Sequence, residues 1–220
     1  MKIIAHIQTD FKEKFGIPRQ SGLVDEVQGK IVFEKEYRVN EAFRGLEDFS
    51  HIWILWKFSK TERKNWSPTV RPPLLGGNKR MGVFATRSPF RPNPIGLSSV
   101  KLEKIEFTKE NGPVIYVRGA DLMDGTEIYD IKPYLSYTDS HPQASGGFTK
   151  NLPERKREVL IDCEDFFLIP KHRQDEIIKI LEHELIRLPA KRCHIIGNDI
   201  VNAYFQYFNL NLWCFMRLYK

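Results

Sequence analysis

The stretch His51–Phe58 reads HIWILWKF, with only His51 and Lys57 interrupting the apolar run. It reads as a buried β-strand, although a short helix has the same composition. Its neighbours favour the strand. Ile3–Gln8 is a short apolar run, and Lys30–Glu36 mixes β-branched, aromatic and charged residues as a half-exposed strand does. Met81–Thr86, Leu97–Phe107, Val114–Gly119 and Ile128–Ile131 complete the set, about seven strands in all. No helical pattern alternates with them, which argues against a doubly wound parallel sheet. Short strands separated by Gly, Pro and Asn predict a mainly β fold, a single antiparallel β-barrel closed or nearly closed on itself. Asn40–Leu46 is expected to form one or two helical turns with Asn40 as N-cap.

Beyond this block the pattern changes. Ser140–Pro153 is small and polar and predicts a linker. Lys171–Leu188 then places Ile177, Leu181, Leu185 and Leu188, with Ile178 beside them, at helical spacing between Pro170 and Pro189. The aromatic tail Tyr204–Tyr219 is expected to pack back on the rest. The reading is therefore a barrel over 1–140 and a linker with a small α+β extension over 141–220.

A chain of 220 residues with 41% hydrophobic and 28% charged residues buries a core without metal or disulfide staples. The net charge of +6 suits a polyanionic partner and equally a lysine-rich solvated surface. Cys163, Cys193 and Cys214 form neither a metal-ligand spacing nor a disulfide framework. Nothing resembles a signal peptide or a membrane span, so no metal, no membrane and a cytoplasmic location are expected.

Function concentrates in the loops. Arg71–Gly77 and Ser88–Gly96 are rich in Pro and Gly, and the second (SPFRPNPIG) follows Thr86–Arg87. Prolines stiffen such a loop and can hold Arg87 and Arg91 ready for a carboxylate or phosphate; the alternative is a rigid surface loop whose arginines pair with local acids. Pro18–Arg19–Gln20 is a second candidate wall and Asp121–Thr126 (DLMDGT) a third. There Asp124–Gly125 reads first as a tight turn and second as an acceptor for a ribose hydroxyl or a cation. His51 reads as a hydrogen-bonded core residue. There is no G-x-G-x-x-G, P-loop, H-E-x-x-H or G-x-S-x-G.

Four segments together resemble the TsaA-like family, whose characterised members are the TrmO tRNA methyltransferases. They are Asp10–Gln20 (DFKEKFGIPRQ), Phe43–Phe58 (FRGLEDFSHIWILWKF), Arg71–Ser98 (RPPLLGGNKRMGVFATRSPFRPNPIGLS) and Asp121–Tyr137 (DLMDGTEIYDIKPYLSY). The resemblance implies one antiparallel barrel that binds S-adenosyl-L-methionine and forms homodimers. It implies methylation of N6 of threonylcarbamoyl-adenosine at position 37 of a tRNA, in the anticodon loop. It assigns cofactor contacts to Pro18, Arg19, Gln20, Ser59, Lys60, Arg87, Leu97, Leu122, Met123, Asp124 and Gly125. Two features depart from the family: His-Gln is usual where this chain has Ser59–Lys60, and the usual Asp-Pro-Arg-Pro-Ala-Tyr is reduced to RLPAKR at Arg187–Arg192. Alternatives are another RNA or small-molecule acceptor, or a non-enzymatic nucleotide-binding regulator. No catalytic residue is assigned; Asp130, Tyr134 and Tyr137 are candidate bases.

Overall fold

The computed structural model describes residues 1–13, 16–59, 66–75, 77–150, 157–160, 164–184, 193–196, 200–207 and 210–218. Six antiparallel strands close into a barrel in the order β1-β2-β7-β6-β3-β8. They are β1 (Ala5–Gln8), β2 (Gln28–Phe33), β3 (His51–Lys57), β6 (Ile95–Thr108), β7 (Gly112–Arg118) and β8 (Thr126–Pro133). Strands β4 (Thr69–Val70) and β5 (Met81–Gly82) form a separate two-stranded ribbon between β3 and β6.

Alternation builds the core. In β3, Ile52, Ile54 and Trp56 point into the barrel while Trp53, Leu55 and Lys57 face outward. Ile7, Ile31, Ile115, Val117, Leu122 and Ile128 meet them inside and are almost completely buried. Burying side chains of this size contributes about 1.5–3 kcal/mol each, and closure pairs every barrel strand on both sides over part of its length.

Three local expectations are corrected. Met81–Thr86 is not a barrel strand: pairing stops at Gly82 and the chain turns through Val83–Ala85, anchored by the buried Val83. Asn40–Leu46 forms 3-10 turns at Asn40–Phe43 and, beyond Gly45, Leu46–Asp48; the first is preceded by Val39 and has no side-chain cap. His51 is hydrogen-bonded, to the Ser50 hydroxyl at 2.9 Å, but it lies on the outward row of β3.

After β8 come a short α1 (Ser136–Asp139) and an exposed stretch over 140–150. Next are β9 (Arg157–Leu160), α2 (Glu164–Phe167) and α3 (Lys171–Glu184), then β10 (Cys193–Ile196), β11 (Ile200–Tyr207) and β12 (Leu210–Leu218). Strands β10, β11, β12 and β9 make a second antiparallel sheet. Cys193 and Cys214 pair with Ala203 from opposite sides. Helix α3 lies within the predicted span; Leu185, Leu188, Pro189 and the Arg187–Arg192 motif fall outside the described residues. Its buried face is Ile177, Ile180 and Leu181. Pro170 accepts the first helical hydrogen bonds, from the N–H groups of Arg173 and Gln174, and so occupies the N-cap.

Arg173 ties α3 to the β1–β2 loop. Its Nη1 lies 2.9 Å from Asp10 and 2.8 Å from the buried Glu176. Burial pushes the Asp10 carboxyl above its ordinary range, against the pull of Arg173. Arg173→Ala is expected to cost about 2 kcal/mol, because it leaves buried charge without its cation. Urea unfolding measures this, and an unchanged midpoint would make the tie superficial.

Candidate active site at one mouth of the barrel

Strand direction decides which loops meet. With all six strands antiparallel, the loops after β1, β3 and β7 leave at one mouth, and those after β2, β6 and β8 at the other. Pro18, Arg19 and Gln20 lie in the β1–β2 loop, and Ser59 and Arg87 in the β3–β6 connection. Leu122, Met123, Asp124 and Gly125 lie in the β7–β8 loop, and Leu97 near the start of β6. All these sequence-predicted residues therefore gather at the first mouth. Lys60 lies outside the described residues.

Contacts join the loops. Arg87 donates from Nη1 to the Gln20 side-chain oxygen, and Gln20 Nε2 donates to the Arg19 carbonyl. One residue on, the Ser21 hydroxyl accepts from the Ser99 backbone N–H at 3.1 Å. Strand β6 pairs with β7 only from Lys101 onward, so residues 95–100 leave one edge open and the 18–22 segment covers part of it. Arg87 itself is exposed, and Leu97 is 53% exposed on the outward row of β6.

Beneath this surface runs a polar chain that the motifs alone did not reveal. Trp56 Nε1 donates to Ser98 Oγ at 2.9 Å, and Ser98 donates to Asp121 Oδ1 at 2.5 Å. Ser98 is fully buried. Burial pushes the Asp121 carboxyl above the ordinary carboxylate range; the Ser98 hydroxyl, the backbone N–H groups of Asp121 and Ser21, and the Arg87 charge work against it. The folded state thus holds this proton more readily than the unfolded chain. Stability from Asp121 is present below the ordinary value of about 3.9 and is lost as pH rises through the folded value. Urea titrations should show the native chain losing stability relative to Asp121→Asn between acid and neutral pH. A constant difference would mean that Asp121 titrates as in the unfolded chain.

Gly96 makes room for this chain. A Cβ there would lie 2.2 Å from Trp56 Cε2, so the indole rests directly on the glycine backbone. The Trp56 ring also packs on Phe58 at 4.2 Å, and the Phe58 N–H donates to the Pro94 carbonyl at 2.9 Å, holding Ser59 beside the proline-rich loop.

The third wall is clasped to the β1–β2 loop. Asp124–Gly125 is the turn that the sequence suggests: Thr126 N–H donates to Met123 O at 3.1 Å, and Gly125 takes φ +73°, which glycine adopts without strain. The Asp124 carboxylate accepts from the Thr9 N–H at 3.0 Å and pairs with Lys12 at 2.6 Å. Leu122 is wholly buried, so only its backbone reaches the mouth, and its carbonyl accepts from the Thr9 hydroxyl.

Arg91 is committed elsewhere. It donates from Nη1 to the carbonyls of Thr86 at 2.8 Å and Ser88 at 3.3 Å, stapling the loop that carries Arg87. Tyr134 and Tyr137 lie beyond the far end of β8, about 25 Å along the strand from Asp124–Gly125. Asp130 lines a cleft of about 400 Å³ at that second mouth with Phe33, Tyr37, Phe43, Arg44 and Phe49. Among the described residues, no group of His, Cys, Asp and Glu side chains could hold a metal, and no helix is long and apolar enough to cross a membrane.

Known proteins resemble this chain in sequence and fold. Residues 6–140 match the tRNA-methyltransferase O N-terminal domain. A tRNA (adenine(37)-N6)-methyltransferase of Escherichia coli (strain K12) is 47% identical over 161 residues, 73% of this chain and 68% of its own length. A Pseudomonas aeruginosa protein named putative S-adenosylmethionine-dependent methyltransferase RcsF is 36% identical over 195 residues, 89% of this chain and 74% of its own. The crystal structure of TrmO from Pseudomonas aeruginosa matches with a TM-score of 0.69 and 29% identity, covering 96% of this chain and 89% of that one. The match over residues 6–140, more than half of the chain, together with relatives at 47% and 36% identity, places this chain in the tRNA-methyltransferase O family.

Proposed function

We propose that the chain is an S-adenosyl-L-methionine-dependent methyltransferase acting on N6 of threonylcarbamoyl-adenosine at position 37 of tRNA. The observation that carries this reading is the convergence of three loops at one mouth of a barrel, latched by Arg87 and Gln20, within the segment that matches the family. Names of relatives at 47% and 36% identity support the reaction and the methyl donor.

The residues fit the donor chemically. Its carboxylate suits the exposed Arg87 guanidinium, with Gln20 orienting it and Pro18 and Arg19 as flanking wall. Its apolar surfaces suit Leu97. Its hydroxyls and cation suit the backbone of Leu122, Met123 and Gly125 and the lone pairs that Asp124 does not spend on Thr9 and Lys12. Ser59 borders the site. When bound, the donor supplies an electrophilic methyl group. The chain's own share is alignment of an in-line displacement, which needs a stiff frame rather than a strong nucleophile. The arginine staple, the Trp56–Ser98–Asp121 chain and the Gly125 turn supply that frame. Tyr134 and Tyr137 lie at the opposite end of β8 from this mouth of the same chain.

The acceptor is the anticodon loop, whose unpaired bases can be splayed out for chemistry. We further propose a homodimer in the cytoplasm, each chain made of a donor-binding barrel over 1–140 and a linker with a small α+β domain over 141–220, the helix of which is tied to the barrel through Arg173. Nucleoside mass spectrometry of tRNA from a deletion strain tests the function. The methylated form at position 37 is expected to disappear and to return with the gene; unchanged levels would refute the reading.

A further inference from the structure

We infer that Trp66, Phe84 and Arg91 form a stacking platform for an unpaired RNA base, with the phosphates running toward Arg71, Lys79 and Arg80. The inference rests on the proposed tRNA substrate and names a contact surface outside the methyl-donor site.

Both aromatic rings are displayed outward. Trp66 is 48% exposed and Phe84 is 72% exposed, yet they stack on each other at 6.0 Å with planes 27° apart. On the Phe84 ring the Arg91 guanidinium lies 6.0 Å from the centroid. A large apolar side chain left this open is informative when its backbone is tightly held. Here it is. Val83 is buried, its N–H donates to Pro68 O at 2.9 Å, and its carbonyl accepts from Thr86 N–H and Oγ1. Arg91 is held by two carbonyls of its own loop. The Phe84 ring is thus carried on a fixed backbone beside a fixed guanidinium, which lowers the ordering cost when a flat ligand arrives.

Charge selects the ligand. From Trp66 to Ser98 the chain carries Arg71, Lys79, Arg80, Arg87 and Arg91 and has no Asp or Glu. Arg71, Lys79 and Arg80 are exposed at the other end of the β4–β5 ribbon, and among the described residues no carboxylate pairs with them. Arg80 is steadied by a 3.0 Å hydrogen bond to Thr69 Oγ1. Exposed aromatics beside unneutralised cations are what a single-stranded polyanion with flat bases requires. An apolar protein partner would gain nothing from the cations. The ribbon also leads directly to Arg87, so a strand lying along it approaches the proposed methyl-donor mouth.

The test uses the full chain and a fluorescein-labelled RNA hairpin with an unpaired loop, titrated by anisotropy beside a fully paired duplex. Trp66→Ala and Phe84→Ala should each weaken hairpin binding about tenfold, leave duplex binding nearly unchanged, and leave S-adenosylmethionine affinity as it was. Phe84→Tyr should restore binding. In Trp66→Phe the hairpin should still bind while losing any tryptophan quenching that the native chain shows. Equal hairpin affinity in Phe84→Ala and the native chain would overturn the platform. So would a loss of affinity that accompanies a change in oligomeric state by light scattering, because the patch would then be a contact between copies. A native chain that transfers no methyl group to tRNA, with hairpin binding still lost in Phe84→Ala, would remove the proposed function and support the platform.

Discussion

Gly96→Ala is expected to lower the unfolding free energy by about 3 kcal/mol, the upper part of the range for overpacking a core. The added methyl has no free volume to enter. It would stand 2.2–2.6 Å from three atoms of the Trp56 indole, and the ring cannot retreat without giving up its hydrogen bond to Ser98. Ser98 in turn donates to Asp121, so the disturbance reaches the loop that carries Leu122–Gly125. Urea unfolding measures the loss. Trp56→Phe shortens the ring and should recover part of it, so the two substitutions are expected to be non-additive, as contacting residues are. Additive effects would show that the ring and the glycine do not press on each other.

Arg87→Ala is expected to weaken S-adenosylmethionine binding ten- to a hundredfold by calorimetry, with folding unaffected, as suits loss of a hydrogen bond to a charged group. Its guanidinium is exposed at the mouth and, among the described residues, hydrogen-bonds to Gln20 alone. Gln20→Ala should cost less, because it removes the orienting contact and leaves the charge. Arg87→Lys should not restore affinity, since an ammonium lacks the planar fork. Unchanged affinity in Arg87→Ala would make the arginine a structural tie between two loops.

How far these features were legible in the sequence depends on how local their causes are. The alternation in HIWILWKF specifies a strand with one face inside, and the structure buries Ile52, Ile54 and Trp56 accordingly. The Asp124–Gly125 turn is likewise local. Met81–Thr86 misled because Val83 is buried for a different reason: it anchors a turn under the ribbon rather than a barrel face. Asp121 stood in a quoted motif, yet Asp124 drew attention because Asp-Gly is a familiar turn pair. Nothing within DLMDGT reveals that a buried serine 23 residues earlier would bond to Asp121. The Trp56–Gly96 contact depends on β3–β6 register, which composition does not encode. Arg87 and Arg91 looked equivalent in SPFRPNPIG and its flank; only the loop's conformation turns Arg91 inward to its own carbonyls and leaves Arg87 facing Gln20.

The family resemblance points to three separate loops, and antiparallel closure brings them to one end of the barrel. Connections after β1, β3 and β7 must leave at the same end. Distant segments of sequence become one surface without any of them being long.

The proposed reaction is methyl transfer from a donor held at this mouth to an adenine of tRNA. Incubating the full chain with labelled S-adenosylmethionine and tRNA bearing threonylcarbamoyl-adenosine, then digesting to nucleosides, tests it most directly. Label is expected in the N6-methylated derivative of that nucleoside, with an initial rate ten- to a hundredfold lower in the Arg87→Ala reaction at limiting donor. Label in another nucleoside, or no transfer by a chain that binds the donor, would contradict it.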